Sequence, residues 1–541
     1  MDGDLLKKQN FIKGSVILMA SAIVAKALGA LFKIPLTNML GGVGMSYFSC
    51  AYSIFMPVYA LTVTGLSSAV ARMTAKSMAF GMYKNITRIR RTAFLLFSVF
   101  GIIGSVAVFL LAKPFSLFST GGTESALAIA MIAPSVFFGC VTAVERGYYE
   151  GMSNMYPTAI SQAVEGIIKV VSGLWLCGYV NQHREEIMTY FPQVTDIRAL
   201  SASAGILGVT LSSVGAMLFF AVIGIFRKKH SGSENTVMGR REISHELIST
   251  SLPIGISAVV TNLTAIIDMW TIIGCISHFG CRMEMPSGIS EKDIPDFVYG
   301  SFAGIALTVF NLVPSVTNML GKGILPCITE AWAENNKQAL KHHTLQALLT
   351  ASIIAVPASF GMGVLAPEIL MFLFAKQHDE AEICINSLRL LMPGMVCLCL
   401  SFPLFSMLQA IGKASAPLKI MFAGTIIKLL GNLILIPLMG ADGAALSTSI
   451  CYVAILAVSL DIYIKLSGIT IEIAPFVSVL YSGLLCGVSA YLTADVCKRY
   501  MSGQFAVILL ATLIGGFVYL LSLWLLSVKK YRKSTKKQAT I

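Results

Sequence analysis

The chain has 541 residues, of which 56% are hydrophobic and only 12% charged, with a mean hydropathy of +0.77. This excludes an ordinary soluble composition and points to a polytopic membrane protein. The formal charge of +13 does not argue for nucleic acid, because the basic residues fall in short loops between apolar stretches, where they set topology.

Apolar stretches of about 20 residues, enough to cross a bilayer, predict an all-α protein with about fourteen transmembrane helices. They lie near 11–38, 46–71, 92–112, 125–145, 157–180, 200–226, 247–276, 299–321, 344–374, 383–406, 417–437, 442–465, 473–495 and 504–528. The first run is too long for a cleavable signal and is followed at once by a second span. It also carries Lys26 and Lys33. A lysine at mid-bilayer costs about 2.5 to 3.5 kcal/mol on insertion scales. Seven positions is close to two helical turns, so both lysines share one face. Such a stripe needs a water-filled cavity or an anion. As a point charge, lysine suits a phosphate. A topological reading stays open, in which Lys33 snorkels outward and Lys26 pairs with Asp268 of the seventh span, at nearly the equivalent depth of the other half.

Arg72 closes the second span, where a positive-inside anchor and a site residue are both compatible with the pattern. In the fifth span Glu165 precedes Lys169 by four residues, the favourable order for an intrahelical pair that neutralises itself. Lys428 of the eleventh span has Gly424 at that spacing, and so is the better ligand candidate. Arg389 lies a turn or two inside the outer end of the tenth span, as a rim charge or a gate. The outer loop 277–298 holds Glu284, Glu291, Asp293 and Asp296, without a sugar-diphosphate metal motif. The twelve cysteines form no C-x-x-C or Cys/His cluster, and the seven histidines no ligand-spaced pair, so neither a disulfide framework nor a metal site is expected.

With the N-terminus inside, cytoplasmic segments hold 27 Lys and Arg and outer loops 8, which predicts both termini in the cytoplasm. The chain also repeats itself. Pro57 matches Pro314, Pro134 matches Pro393, Pro157 matches Pro417, and Ile167-Ile168-Lys169 recurs as Ile426-Ile427-Lys428, at offsets of 257, 259, 260 and 259. Six spans per repeat is an even number, so the halves share orientation and are related by an axis along the membrane normal. The expected organisation is a six-helix bundle over 1–226, a cytoplasmic linker 227–246, a second bundle over 247–465, two additional helices over 466–528, and a basic tail 529–541.

Several segments carry a resemblance. They are Arg146-Gly147-Tyr148-Tyr149-Glu150-Gly151, Asn154 to Gln162, Glu165 to Lys169, Leu408-Gln409-Ala410-Ile411-Gly412-Lys413, Pro417, Lys428, Asn432 and Gly443-Ala444-Ala445. To these the start adds Gly14, Lys26, Leu28-Gly29, Lys33-Ile34-Pro35-Leu36 and Leu40-Gly41. Together they resemble the stage V sporulation protein B family over essentially the whole chain. Glu150 departs from it, standing where glutamine is expected. The resemblance implies two six-helix bundles around a central cleft, alternating access, and a role in spore-cortex peptidoglycan. The reading is thus a bacterial plasma-membrane flippase, not an enzyme, for an undecaprenyl-diphosphate-linked peptidoglycan or polysaccharide precursor. Lys26, Lys33, Lys428, Lys169, Arg389 and Arg72 line its cleft, and Glu165 and Asp268 are their charge partners. Its partners are the lipid-linked precursor, membrane lipids and cell-wall synthesis proteins, with no cofactor beyond a coupling proton, sodium ion or membrane potential. Two readings stay open beside it. One is a drug or cation antiporter of the same fold, which predicts a net acidic cavity. The other is a membrane-integral glycan polymerase or a non-transporting partner of the cell-wall machinery.

Overall fold

The computed structural model describes residues 11–190, 196–225, 238–280, 285–286, 289–413, 415–501 and 503–538. Most of the expected linker and the end of the basic tail lie outside them. Among the described residues all regular structure is helical. The chain forms two compact units, one of residues 1–280 with 287–304 and the other of 281–286 with 305–541. This division falls later than the linker at 227–246, because the seventh span packs with the first unit in this structure.

The first unit contains α1 (Phe11–Tyr59), a π-helical turn Ala60–Thr64, α2 (Gly65–Ala79), α3 (Tyr83–Thr120), α4 (Ala126–Ile132), α5 (Pro134–Gly151) and α6 (Tyr156–Gln182). It continues with α7 (Arg184–Tyr190), α8 (Ile197–Ile225), α9 (Arg240–Phe279) and α10 (Ile294–Ser301). Two expected spans, 11–38 and 46–71, run on as one helical path rather than being parted by a loop. The stretch Ala20–Ala79 is 60 residues long. At about 1.5 Å per residue it is roughly three times longer than the hydrocarbon core of a bilayer, about 30 Å. Its break is at Gly41, with φ 68° and ψ −175°. That region of backbone space is essentially reserved for glycine, so the chain turns there without a loop. The expected span 125–145 is itself divided. Pro134 opens α5 at the first helical position, where its missing N–H costs nothing.

Apolar side chains of α2, α3, α5, α8 and α9 form one core, including Leu66, Val70, Ile89, Phe97, Val144, Tyr149, Phe220 and Leu247. α8 packs against α6 through small buried residues such as Ser201, Gly205 and Gly208, the last two against Gly173. In a membrane such residues allow close backbone approach, which van der Waals packing rewards.

The second unit contains α11 (Leu307–Phe310), α12 (Leu312–Ala333), α13 (Lys337–Val364), α14 (Ala366–Leu373), α15 (His378–Ala410), α16 (Ala416–Met439), α17 (Ala441–Ser467), α18 (Ala474–Tyr500) and α19 (Gln504–Gln538). A second π-helical turn, Phe302–Ala306, precedes it. The stretches Glu291–Phe310 and Leu312–Asn318 meet at 46°. Pro314 explains the bend, since it has no N–H to offer the Phe310 carbonyl. α15 packs on α12, α13 and α17; α16 lies on α17; α18 and α19 pair with each other, and α18 leans on α13.

Twelve helices among the described residues are long and apolar enough to cross a membrane, or thirteen if the bent pair counts as one span. Ala20–Ala79 is counted there once but holds two of the expected crossings.

Candidate functional site

Charged side chains converge on the packed faces of α1, α5 and α6 in the first unit. Thr158, Gln162, Glu165 and Lys169 follow one another at helical spacing on α6. Ser21 of α1 donates to Gln162 Oε1 at 3.1 Å. Glu165 is bound by Arg146 of α5, whose Nη2 lies 2.7 Å from Glu165 Oε2 while its Nε donates to Ser161 Oγ at 3.0 Å. The expected Glu165–Lys169 pairing is therefore shared, with Arg146 holding the direct ion pair. Lys169 is half-buried, within electrostatic reach of both Glu165 and Lys26, and its Nζ sits 5.7 Å from the Phe32 ring centroid. That geometry is a cation–π contact. Tyr52 and Tyr59 of α1 also lie within electrostatic reach of Glu165.

Lys26 is exposed on α1. Two turns on, Lys33 donates from Nζ to the Ala303 carbonyl at 2.9 Å, and Thr37 Oγ1 reaches Gly304 O at 3.4 Å. Both acceptors belong to the π-helical turn Phe302–Ala306. A π turn shifts its backbone bonds out of α register, and here its carbonyls serve side chains of α1.

The other expected residues lie elsewhere. Asp268 is buried in α9, within electrostatic reach of Tyr299. Arg72 is exposed on α2. In the second unit, Lys428 is buried at 3% exposure on α16, with its carbonyl accepting from Ser447 Oγ at 3.0 Å. Arg389 is exposed and its Nε lies 3.3 Å from Gly363 O. Lys169 follows Pro157 by twelve residues and Lys428 follows Pro417 by eleven, each proline opening its helix.

A polar cluster the sequence reading did not single out ties α10 and the start of α8 to α1. Ser46 donates to Asp296, Tyr47 Oη to Asp196 Oδ2 at 3.2 Å, and Ser53 and Tyr299 hydroxyls are 3.4 Å apart. Arg198 bridges Asp196 at 2.9 Å and Asp293 at 2.7 Å. The backbones come close enough that a Cβ on Gly300 would stand 1.7 Å from the Gly42 carbonyl oxygen. The acids 293 and 296 were visible in the sequence, but only as loop charges.

The model for the polysaccharide biosynthesis protein family matches residues 11–332, more than half of the chain. The chain belongs to the polysaccharide biosynthesis protein family. The model for lipid II flippase MurJ matches residues 306–515. Among curated relatives, the lipid II flippase MurJ of Bacillus subtilis (strain 168) is 24% identical over 94% of this chain and 94% of its own. Stage V sporulation protein B of the same organism is 22% identical over 92% of this chain and 91% of its own. The expected family resemblance is thereby borne out. Among solved structures, lipid II flippase MurJ in an inward closed conformation superposes with a TM-score of 0.63 at 17% identity, covering 97% of this chain and all of that one. An inward-facing multidrug resistance MATE family transporter of the MOP superfamily gives 0.64 at 15% identity, covering 83% of this chain and 99% of that one. The family member described here is thus a multi-pass membrane protein with the two-bundle fold of those structures.

Proposed function

We propose that the protein moves an undecaprenyl-diphosphate-linked peptidoglycan or polysaccharide precursor outward across a bacterial cell membrane by alternating access. Its termini are cytoplasmic and it serves cortex synthesis in sporulation. One observation carries this reading: the α1–α5–α6 face brings Arg146 and Lys169 to Glu165, with Lys26 within electrostatic reach of Lys169 and Lys33 two turns further along α1. A cationic face suits a diphosphate and repels a lipophilic cation, and in a water-poor setting both effects grow as screening falls. The names of the relatives, a lipid II flippase and a sporulation protein, support the substrate class and the cortex role.

In this reading the diphosphate meets Lys26 and Lys169 first, as point charges. It then competes with Glu165 for Arg146 and with the Ala303 carbonyl for Lys33. Drawing Lys33 away releases the π turn next to α10, and so links head-group binding to the polar latch at Asp293, Asp296 and Arg198. Lys428 and Arg389 belong to the same proposal as contacts from the second bundle, Asp268 as a charge partner, and Arg72 as a rim contact. A diphosphate leaving the cytoplasm also moves with an inside-negative potential, which is worth about 2.3 kcal/mol per charge per 100 mV. The potential alone therefore favours export, and a proton or sodium ion adds to it.

The test is flipping of labelled lipid II by purified protein in liposomes. Lys26→Ala with Lys169→Ala should slow it about a hundredfold or more, the loss of two charge-assisted contacts. Transport of organic cations instead of lipid-linked sugars, with the double variant unimpaired, would establish the antiporter reading.

A further inference from the structure

A second polar site lies in the second unit, where α14 meets the facing ends of α18 and α19. Pro367, Glu368, Met371, Lys498, Gln504 and Val507 line a cavity of about 350 Å³ there. Beneath it Leu365, Ala490, Ala494, Val507 and Ala511 form an apolar floor. Glu368 is only 8% exposed, and its Oε1 pairs with Lys498 of α18. Its other carboxylate oxygen is buried without a hydrogen-bond partner among the described residues. A buried carboxylate oxygen left without a donor costs free energy, and such atoms are rare in folded proteins. Lys498, by contrast, is half-exposed and holds a long flexible stem.

We infer that this cavity binds the head group of a zwitterionic phospholipid bearing a primary ammonium, such as phosphatidylethanolamine. The ammonium supplies the donor that Glu368 lacks, and Lys498 swings outward to the phosphate. The two charges of the site then match the two charges of the head group. The surroundings favour a lipid over a soluble zwitterion. Phe372 and Phe505 stand exposed beside the cavity with ring centroids 5.6 Å apart, and the outer faces of α18 and α19 are apolar. Lys498 and Arg499 in the last turn of α18, followed by the largely exposed Tyr500, mark the depth of lipid head groups. Arg499 is engaged by Asp495 at 2.7 Å, so Lys498 is the cation turned to the cavity. The site is separate from the cationic face of the first unit and independent of what that face transports.

The experiment reconstitutes full-length protein in phosphatidylcholine nanodiscs doped with either phosphatidylethanolamine or phosphatidylglycerol. Native mass spectrometry reads lipid retention and a melting curve reads stability. Phosphatidylethanolamine should be retained and raise the melting temperature, while phosphatidylcholine, which has no ammonium N–H, and phosphatidylglycerol should not. Glu368→Gln should weaken retention about tenfold, as expected for one charge-assisted hydrogen bond, with melting in phosphatidylcholine unchanged. Lys498→Gln, at a half-exposed position, should weaken it too and serves as the reading if Glu368→Gln does not fold. Equal retention of phosphatidylglycerol, insensitive to Glu368→Gln, would reduce the site to a surface cation and overturn the inference. So would full competition by soluble glycerophosphoethanolamine, which would mean a site for soluble zwitterions.

Discussion

At the scale of single residues, Arg146 and Glu165 set how strongly the first unit holds an anion. Glu165 occupies Arg146 and also reaches Lys169, so it competes with any diphosphate for both cations. Glu165→Gln should therefore tighten binding of undecaprenyl diphosphate, and Arg146→Ala should weaken it. Each change should be about tenfold, the scale of one hydrogen bond to a charged group. Equilibrium binding of a labelled lipid diphosphate to the purified protein checks both signs. Weaker binding by Glu165→Gln would mean that the carboxylate contacts the ligand's sugar rather than opposing its phosphates. Lys26, Lys33 and Lys169 were legible in the sequence because a charge inside an apolar run is costly and must have a reason. Arg146 was not. It stands at the end of an apolar run, where arginine ordinarily reports topology. Only the hairpin of α5 and α6 turns it onto Glu165, nineteen positions further along the chain.

At the scale of elements, the break in α1 and the π turn beside α10 form one joint. Gly41 supplies the backbone angle, and Gly42 and Gly300 supply the close approach. Gly300→Ala puts a methyl group into the Gly42 carbonyl, a contact that only backbone movement relieves. α10 should then withdraw from α1 and release the bond between Ser46 and Asp296. The cost should be of the order of the 1–3 kcal/mol typical of overpacking a close contact. Cys50, fully buried on α1 near this joint, reports the change. In a variant keeping Cys50 alone, a maleimide should label it slowly, and labelling should accelerate when Gly300→Ala is added. Equal rates would show that the joint absorbs the methyl group without opening. The prolines that mark the repeat do not all shape the backbone in the same way. Pro134 starts a new helix, Pro314 bends its helical path, and its partner in the repeat, Pro57, lies in a continuing helix shortly before the other π turn. Proline removes one donor wherever it stands, and neighbouring packing decides whether a bend or a break follows.

At the scale of the whole molecule, the all-helical class and nearly every crossing could be read from apolar length alone, because lipid requires every backbone group to be satisfied within its own segment. Parting the first two crossings by a loop could not, since one glycine at an unusual backbone angle replaces the expected connection 38–46. Orientation is a matter of charge. Lysine and arginine divide 27 to 8 between the two sets of loops, so both termini should face the cytoplasm and Ser290, between the seventh and eighth spans, should face outward. Ser290 is exposed, so a cysteine there is open to reagent. In a background without native cysteines, Ser290→Cys in intact cells should react with a membrane-impermeant maleimide, while a cysteine at Lys413, also exposed, should react only after permeabilisation. The reverse pattern would invert the topology and place the polar latch of Arg198, Asp293 and Asp296 on the cytoplasmic side. A diphosphate arriving from the cytoplasm would then meet that latch before it reached Lys26.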